Sequence, residues 1–274
     1  MEAIAWGYTF LEAPRADAQG RLYFSDIIAG GVYRWSLDGG VETVIPKRRG
    51  VGGLVLHADG GVVVSGRDVC HVRDGRSRVL LTVDGALGFN DLTTDAEGRV
   101  YVGSMRSAAM QLEGRVPSEL WRIDGEGRGV ELYGGVEFPN GVGFAPGGRT
   151  LYHSNYSAGT VLAHDLAGDG SAVNRRVFAR VPHGHPDGLA VDEEGGVWVA
   201  LGDGAAVARF APDGTLERTV AVATTFVTSL CFGASDRRDL FVVTTDNSDD
   251  PARRATVFRT RSEIPGLAVP PARV

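Results

Sequence analysis

Asp95-Ala96-Glu97-Gly98-Arg99-Val100-Tyr101-Val102 places a glycine-closed turn directly before an apolar run. The same phrase returns as Gly20-Arg21-Leu22-Tyr23-Phe24, Gly60-Gly61-Val62-Val63-Val64 and Gly148-Arg149-Thr150-Leu151-Tyr152. Further copies are Gly195-Gly196-Val197-Trp198-Val199 and Arg237-Arg238-Asp239-Leu240-Phe241. Counted from the second residue of each, the copies stand at 21, 61, 99, 149, 196 and 238, so the spacings are 40, 38, 50, 47 and 42. A period of roughly 40–50 residues is that of a β-propeller blade.

Every unit has the same internal order. A first strand runs into a turn such as Asp17-Ala18-Gln19-Gly20 or Asp192-Glu193-Glu194-Gly195, whose glycine supplies the positive φ that tight turns need. The apolar run is the second strand. A third follows with period-two alternation, as in Gly31-Val32-Tyr33-Arg34-Trp35, Glu119-Leu120-Trp121-Arg122-Ile123 and Ala206-Val207-Ala208-Arg209-Phe210. Another turn (Leu37-Asp38-Gly39, Pro212-Asp213-Gly214) opens onto a fourth strand such as Glu42–Ile45 or Leu216–Val220. Four antiparallel strands in six copies predict an all-β, six-bladed propeller occupying residues 1–274 as one domain. No stretch carries a helical period, which argues against a TIM barrel or a doubly wound sheet. Ala3–Tyr8 is a strand without a blade of its own, and the last unit ends at Ala255–Arg259. Pairing the first with the last closes the ring and removes an open edge.

Composition narrows the function. The 274 residues are 43% hydrophobic and 23% charged with a net charge of −6, and the arginines form no basic run, which excludes nucleic acid and an anionic membrane as expected partners. Glycine, at 39 residues, is about twice as common as usual because turns are so many. Cys70 and Cys231 lie among apolar residues and read as buried thiols, too few for a disulfide scaffold. Met1-Glu2-Ala3-Ile4 begins no basic leader, and no apolar run approaches the ~20 residues of a spanning helix, so a cytoplasmic protein is expected.

The innermost strands of a propeller surround its axis. Nine residues before each phase position stand Glu12, Gly52, Asn90, Asn140, Asp187 and Ser229. Two carboxylates, two carboxamides and a hydroxyl therefore converge on one point. Paired carboxylates resist joint ionisation unless a cation lies between them. Oxygen donors without Cys or an in-phase His suit a hard cation, Ca²⁺ or Mg²⁺. His183-Gly184-His185 reads as a solvated loop, and His153 and His164 as structural. There is neither a His-Glu-x-x-His zinc signature nor a Gly-x-Ser-x-Gly elbow.

At these residues the chain resembles the SMP-30/gluconolactonase/LRE family of six-bladed propeller lactonases. The resemblance runs through Leu11-Glu12-Ala13-Pro14, Phe89-Asn90-Asp91, Gly103-Ser104-Met105, Phe138-Pro139-Asn140-Gly141 and Pro186-Asp187-Gly188-Leu189-Ala190-Val191-Asp192. It continues in Thr228-Ser229-Leu230-Cys231-Phe232-Gly233 and Ile264-Pro265-Gly266-Leu267. It implies one divalent metal held by Glu12, Asn140 and Asp187, with Asn90 as a further ligand or substrate contact. Ca²⁺ is the favoured ion, with Zn²⁺, Mn²⁺, Mg²⁺ and Fe²⁺ as alternatives. Two departures stand out. Sugar-lactone members carry an arginine where this chain has Gly88, and an acidic lid residue where it has Arg106-Ser107-Ala108-Ala109. Both groups grip sugar hydroxyls, so the expected substrate is a small lactone other than a typical aldonolactone, and Met110 and Leu112 of the lid suit a less polar ligand. Asp187 is the expected general base on water. The rival activities are phosphotriester hydrolysis, as in related propellers, and metal-stabilised ligand binding without catalysis.

Overall fold

The computed structural model describes residues 1–108, 111, 114–245 and 255–274. Met110 and Leu112 lie outside the described residues. The described chain forms six four-stranded sheets, each an antiparallel meander, and contains no helix. Among the described residues, therefore, no helix is long and apolar enough to cross a membrane.

Five blades are built from consecutive strands. The sixth is not: its order runs from Phe226–Gly233 outward through Asp239–Thr245 and Ala255–Arg261 to Glu2–Tyr8. The N-terminal strand is thus the outer strand of the last blade, as predicted, with Glu2 opposite Arg259 and Tyr8 opposite Ala255. The third and fourth strands read from sequence hold within two residues, as in Val32–Ser36 and Gly40–Ile45 of the first blade, whereas second strands run up to four residues past the apolar runs that marked them, as in Val100–Met105 and Asp239–Thr245. The predicted turn glycines Gly20, Gly98 and Gly195 have φ of 77°, 81° and 84°.

Each strand of a blade shows one face to either neighbouring blade, so the core divides into six apolar clusters, one per junction. Leu11, Leu22 and Phe24 of the first blade meet Cys231, Phe241 and Val257 of the last. Tyr101 and Leu120 of the third meet Val142 and Leu151 of the fourth. Because both faces are covered, the second strands are apolar throughout, and Val62–Val64 and Val197–Ala200 are buried at every residue. Cys70 and Cys231 are both buried and unbridged.

The innermost strands are Leu11–Ala16, Leu54–Leu56, Gly88–Thr94, Pro139–Phe144, Leu189–Val191 and Phe226–Gly233. They run side by side around the axis, and their N-terminal ends carry the six positions picked out by phase.

Candidate metal centre

The axial ring closes through direct contacts. Asn90 Nδ2 donates to Asn140 Oδ1 (2.9 Å) and to the Pro139 carbonyl (3.0 Å). Gly141 N–H donates to the Asp187 carbonyl at 3.2 Å, and Gly188 N–H to the Thr228 carbonyl at 2.9 Å. The Thr228 hydroxyl bonds the Leu11 carbonyl at 2.6 Å, while Ser25 Oγ sits between the carbonyls of Val51 and Glu12. All six predicted positions are therefore brought together. The glycine among them has a reason: a Cβ on Gly52 would stand 2.2 Å from Asn90 Oδ1. Likewise a Cβ on Gly188 would stand 2.0 Å from Ser229 Oγ, so neither glycine leaves room for a side chain of its own.

Glu12, Asn140 and Asp187 are buried, and Asn90 is half-buried. Burial pushes the Glu12 carboxyl well above its ordinary range, and the nearby charges of Asp187 and Asp91 push it further. Asp187 is raised in the same way, by burial and by Asp91, against one opposing backbone N–H from Gly188. Asp91 itself is pushed up to about 7 by burial despite the Arg15 guanidinium beside it. Three buried carboxyls in one field, with the Arg15 guanidinium beside Asp91, form a site that is short of positive charge among the described residues. A divalent cation between Glu12 and Asp187 would reverse those shifts.

The donor chemistry fits such an ion. The two carboxylates and the Asn140 carboxamide are hard oxygen donors. Asn140 Oδ1 accepts from Asn90 and keeps its second lone pair, so Asn90 fixes which end of the Asn140 amide faces the axis. Among the described residues no group of three or more His, Cys, Asp or Glu side chains is gathered for a metal, since carboxamides make up half of this donor set. Backbone tension accompanies the arrangement. Ala13, next to Glu12, has φ 55°, and Phe138, two before Asn140, has φ 66°. Left-handed non-glycine residues cost of order 1–3 kcal/mol each and gather at functional sites.

Four residues of the centre escaped the phase count. Asp91 and Arg15 lie one and three positions past ring members, and Arg15 is held on the carbonyls of Leu54 (3.1 Å) and Leu92 (3.2 Å). Tyr156 and Phe138 form one wall of the mouth. Their rings meet edge-on at 5.7 Å, and Tyr156 stacks on His185 at 4.8 Å. The charges of Asp187 and Glu12 help to raise the Tyr156 phenol, which places it beside the carboxylates. His185, half-exposed, pairs through Nδ1 with Asp203 at 3.0 Å, whereas His183 is exposed.

The two departures also have a structural form. Gly88 lies opposite Met105, and a Cβ there would come within 2.7 Å of the Gly66 carbonyl. Arg106 turns to Glu119, at 3.0 Å, and to the Asp84 carbonyl, while Ser104 bonds the same Glu119 carboxylate.

Residues 10–246 match the SMP-30/Gluconolactonase/LRE-like region. The chain is 32% identical over 266 residues to the 6-deoxy-6-sulfogluconolactonase of Pseudomonas putida, covering 91% of this chain and 89% of that one. It is 32% identical over 237 residues to the pentonolactonase XacC of Haloferax volcanii, covering 84% and 79%. Among solved structures, a luciferin-regenerating enzyme superposes with a TM-score of 0.88 at 21% identity, covering 98% of this chain and 96% of that one, a likeness of fold.

Proposed function

The chain belongs to the SMP-30/gluconolactonase/LRE-like family, and from that premise we propose that it is a divalent-metal-dependent hydrolase that opens the ring of a small lactone. The observation that carries the reading is the axial cluster, where the buried carboxyls of Glu12 and Asp187 gather with the hydrogen-bonded carboxamides of Asn90 and Asn140, both carboxyls being raised by burial and by neighbouring carboxylates. The lactonase names of the two relatives support the reaction class.

Glu12, Asn140 and Asp187 would hold the ion, Asn90 would orient Asn140 and reach the substrate, and oxygen-only donors favour Ca²⁺ over Mg²⁺, Zn²⁺, Mn²⁺ and Fe²⁺. When bound, the cation supplies Lewis-acid polarisation of the carbonyl and charge stabilisation for the oxyanion. Asp187 takes the proton of the attacking water on a carboxylate oxygen and returns it to the leaving alkoxide of the opened ring. Phe138 and Tyr156 cover one side of the site and keep bulk water from it. A side chain is excluded at Gly88 and Arg106 is held by Glu119, so the expected substrate is not a plain aldonolactone gripped through its hydroxyls.

The test pairs metal content by mass spectrometry with kinetics on lactones, carboxylic esters and paraoxon-type phosphotriesters. Glu12→Gln and Asn140→Ala should lose metal affinity, with activity partly rescued by excess ion. Asp187→Asn should keep an oxygen donor while kcat falls by roughly 10²–10⁴. Asn90→Ala should mainly raise KM. Metal-replete protein that turns over none of the three panels would leave a ligand-binding propeller, and preference for phosphotriesters would leave a phosphotriesterase.

A further inference from the structure

We propose that Arg115 sets substrate specificity by receiving an acidic substituent, a carboxylate, sulfonate or phosphate, carried by the lactone away from its reacting carbonyl. The proposal rests on the lactonase reading above and adds the chemical class of the substrate. Arg115 lies in the segment between the second and third strands of the third blade, and its guanidinium carbon sits 4.5 Å over the ring of Phe138. Phe138 is two residues from Asn140, and its left-handed backbone turns it out of the strand that Pro139 begins. Its ring meets Tyr156 edge-on, and Tyr156 stacks on His185. Arg115, Phe138, Tyr156 and His185 thus form a continuous wall rising from the site whose floor is Glu12, Asn90, Asn140 and Asp187. The Tyr156 hydroxyl feels both ends of that wall, the Asp187 carboxylate and the Arg115 guanidinium.

The charge pattern gives the wall its selectivity. Among the described residues the carboxyls of Glu12, Asp91, Asp187, Asp203 and Glu137 lie in this space or at its edge, with Arg15 set beside Asp91. A cation cannot enter from Gly88, where the Gly66 carbonyl fills the space, and Arg106 is directed to Glu119. A guanidinium on an aromatic face is weakly hydrated, always charged and offers a planar fork that matches two oxyanion oxygens. A substrate anchored at its carbonyl on the floor would meet Arg115 with its far end, one aromatic ring away.

The experiment uses a matched pair that differs by one charged group, D-glucono-1,5-lactone and its 6-phosphate, with spontaneous hydrolysis subtracted. The stable ring-opened acids, gluconate and 6-phosphogluconate, serve in parallel for calorimetric binding. Wild-type protein should favour the phosphorylated member of each pair by about tenfold or more. Arg115→Met should bring both ratios towards one, and Arg115→Lys should keep part of the preference, with unchanged unfolding midpoints showing that the variants fold. A wild-type protein indifferent to the charge, or an Arg115→Met variant that keeps the preference, overturns the assignment. If neither these lactones nor the wider lactone panel is opened, yet 6-phosphogluconate still binds in an Arg115-dependent way, the lactonase reading fails and Arg115 as the anion receptor stands.

Discussion

His153 and His164 flank Tyr133 between the third and fourth blades, where no water can charge them. The Tyr133 hydroxyl and His153 Nδ1 are 3.0 Å apart, and the Tyr133 ring stacks on His164 at 3.8 Å. Among the described residues, His153 Nε2 and both His164 nitrogens have no hydrogen-bond partner. Burial lowers His153 to about 3 and His164 to about 4. Below the unfolded value of about 6.5 the unfolded chain takes up protons that the folded chain refuses, so stability falls as pH drops from 6.5 towards 4. Each histidine contributes a slope of up to about 1.4 kcal/mol per pH unit in that window. Urea unfolding at pH 7.5, 6 and 5 should show it, and a His153→Gln, His164→Gln double variant should flatten the wild-type slope. An unchanged slope in the variant would assign the acid sensitivity elsewhere. At this scale the sequence reveals residue type and phase. That was enough to bring Glu12, Asn90, Asn140 and Asp187 to one point as candidates, because six repeats fix one geometric position. It was not enough for Tyr156, which reaches the mouth from the end of a second strand, a place that the repeat does not mark as axial.

The strands explain why Asp91 and Arg15 were hidden as well. Strict alternation sends neighbours of a ring residue to the opposite face. Four innermost strands break the rule at the ring: Glu12 to Arg15, Phe89 to Leu92 and Pro139 to Val142 each advance three residues against two on the partner strand, and Val227 to Ser229 advances two against one. Such bulges re-aim side chains, and here they let Asn90 and Asp91 both serve the centre. The turns, by contrast, were legible because their chemistry is local. Asp17 and Asp95 each accept two backbone N–H groups of the turn and then clamp Arg21 or Arg99 through Nε at 2.6 Å. The fifth blade has Gly196 where that arginine belongs, and Arg209 of the next strand takes over, filling the space that a Cβ on Gly196 would need. Asp192 then accepts from Arg209 Nε and Trp198 Nε1, both at 2.8 Å, besides two backbone groups. Asp192→Ala removes the buried partner of a guanidinium that is 4% exposed and leaves it only the more exposed carboxylates of Glu217 and Glu194, at a cost of about 3 kcal/mol, the lower end for a broken buried pair. Asp192→Asn, which keeps acceptor oxygen but no charge, should cost less. Equal unfolding midpoints for the two variants would show that packing around the turn, rather than the ion pair, holds this blade.

Closure is a property of the whole chain, and both ends take part in it. The segment after Ile264 runs beneath the propeller at the end of the channel opposite Glu12: Leu267 N–H bonds the Val191 carbonyl, and Ala272 N–H bonds the Leu56 carbonyl. It spans a cavity of about 900 Å³ walled by Phe144, Phe232, Arg15 and Cys231. The N-terminal strand does more, since without it the last blade has three strands and an open edge. Ala5 is buried in the cluster that joins the last blade to the first, with Ile4 and Tyr8 packed against it. Thr9 N–H bonds Asp26 at 2.8 Å, and Thr245 Oγ1 bonds the Thr9 carbonyl at 3.1 Å, which ties the strand across the junction. Burying three such side chains is worth several kcal/mol, at about 1.5–3 each for the larger ones, against a total stability of order 5–15. Removing Met1–Phe10 should therefore lower the unfolding midpoint of the entire protein in one transition, with far-UV circular dichroism and tryptophan fluorescence falling together. The axial site should suffer with it, because Leu11 and Glu12 begin the strand that this segment anchors and the Leu11 carbonyl receives Thr228. A truncated protein with the wild-type midpoint, or one that loses a first small transition and keeps the main one, would mean that the five continuous blades hold the ring without the closing strand.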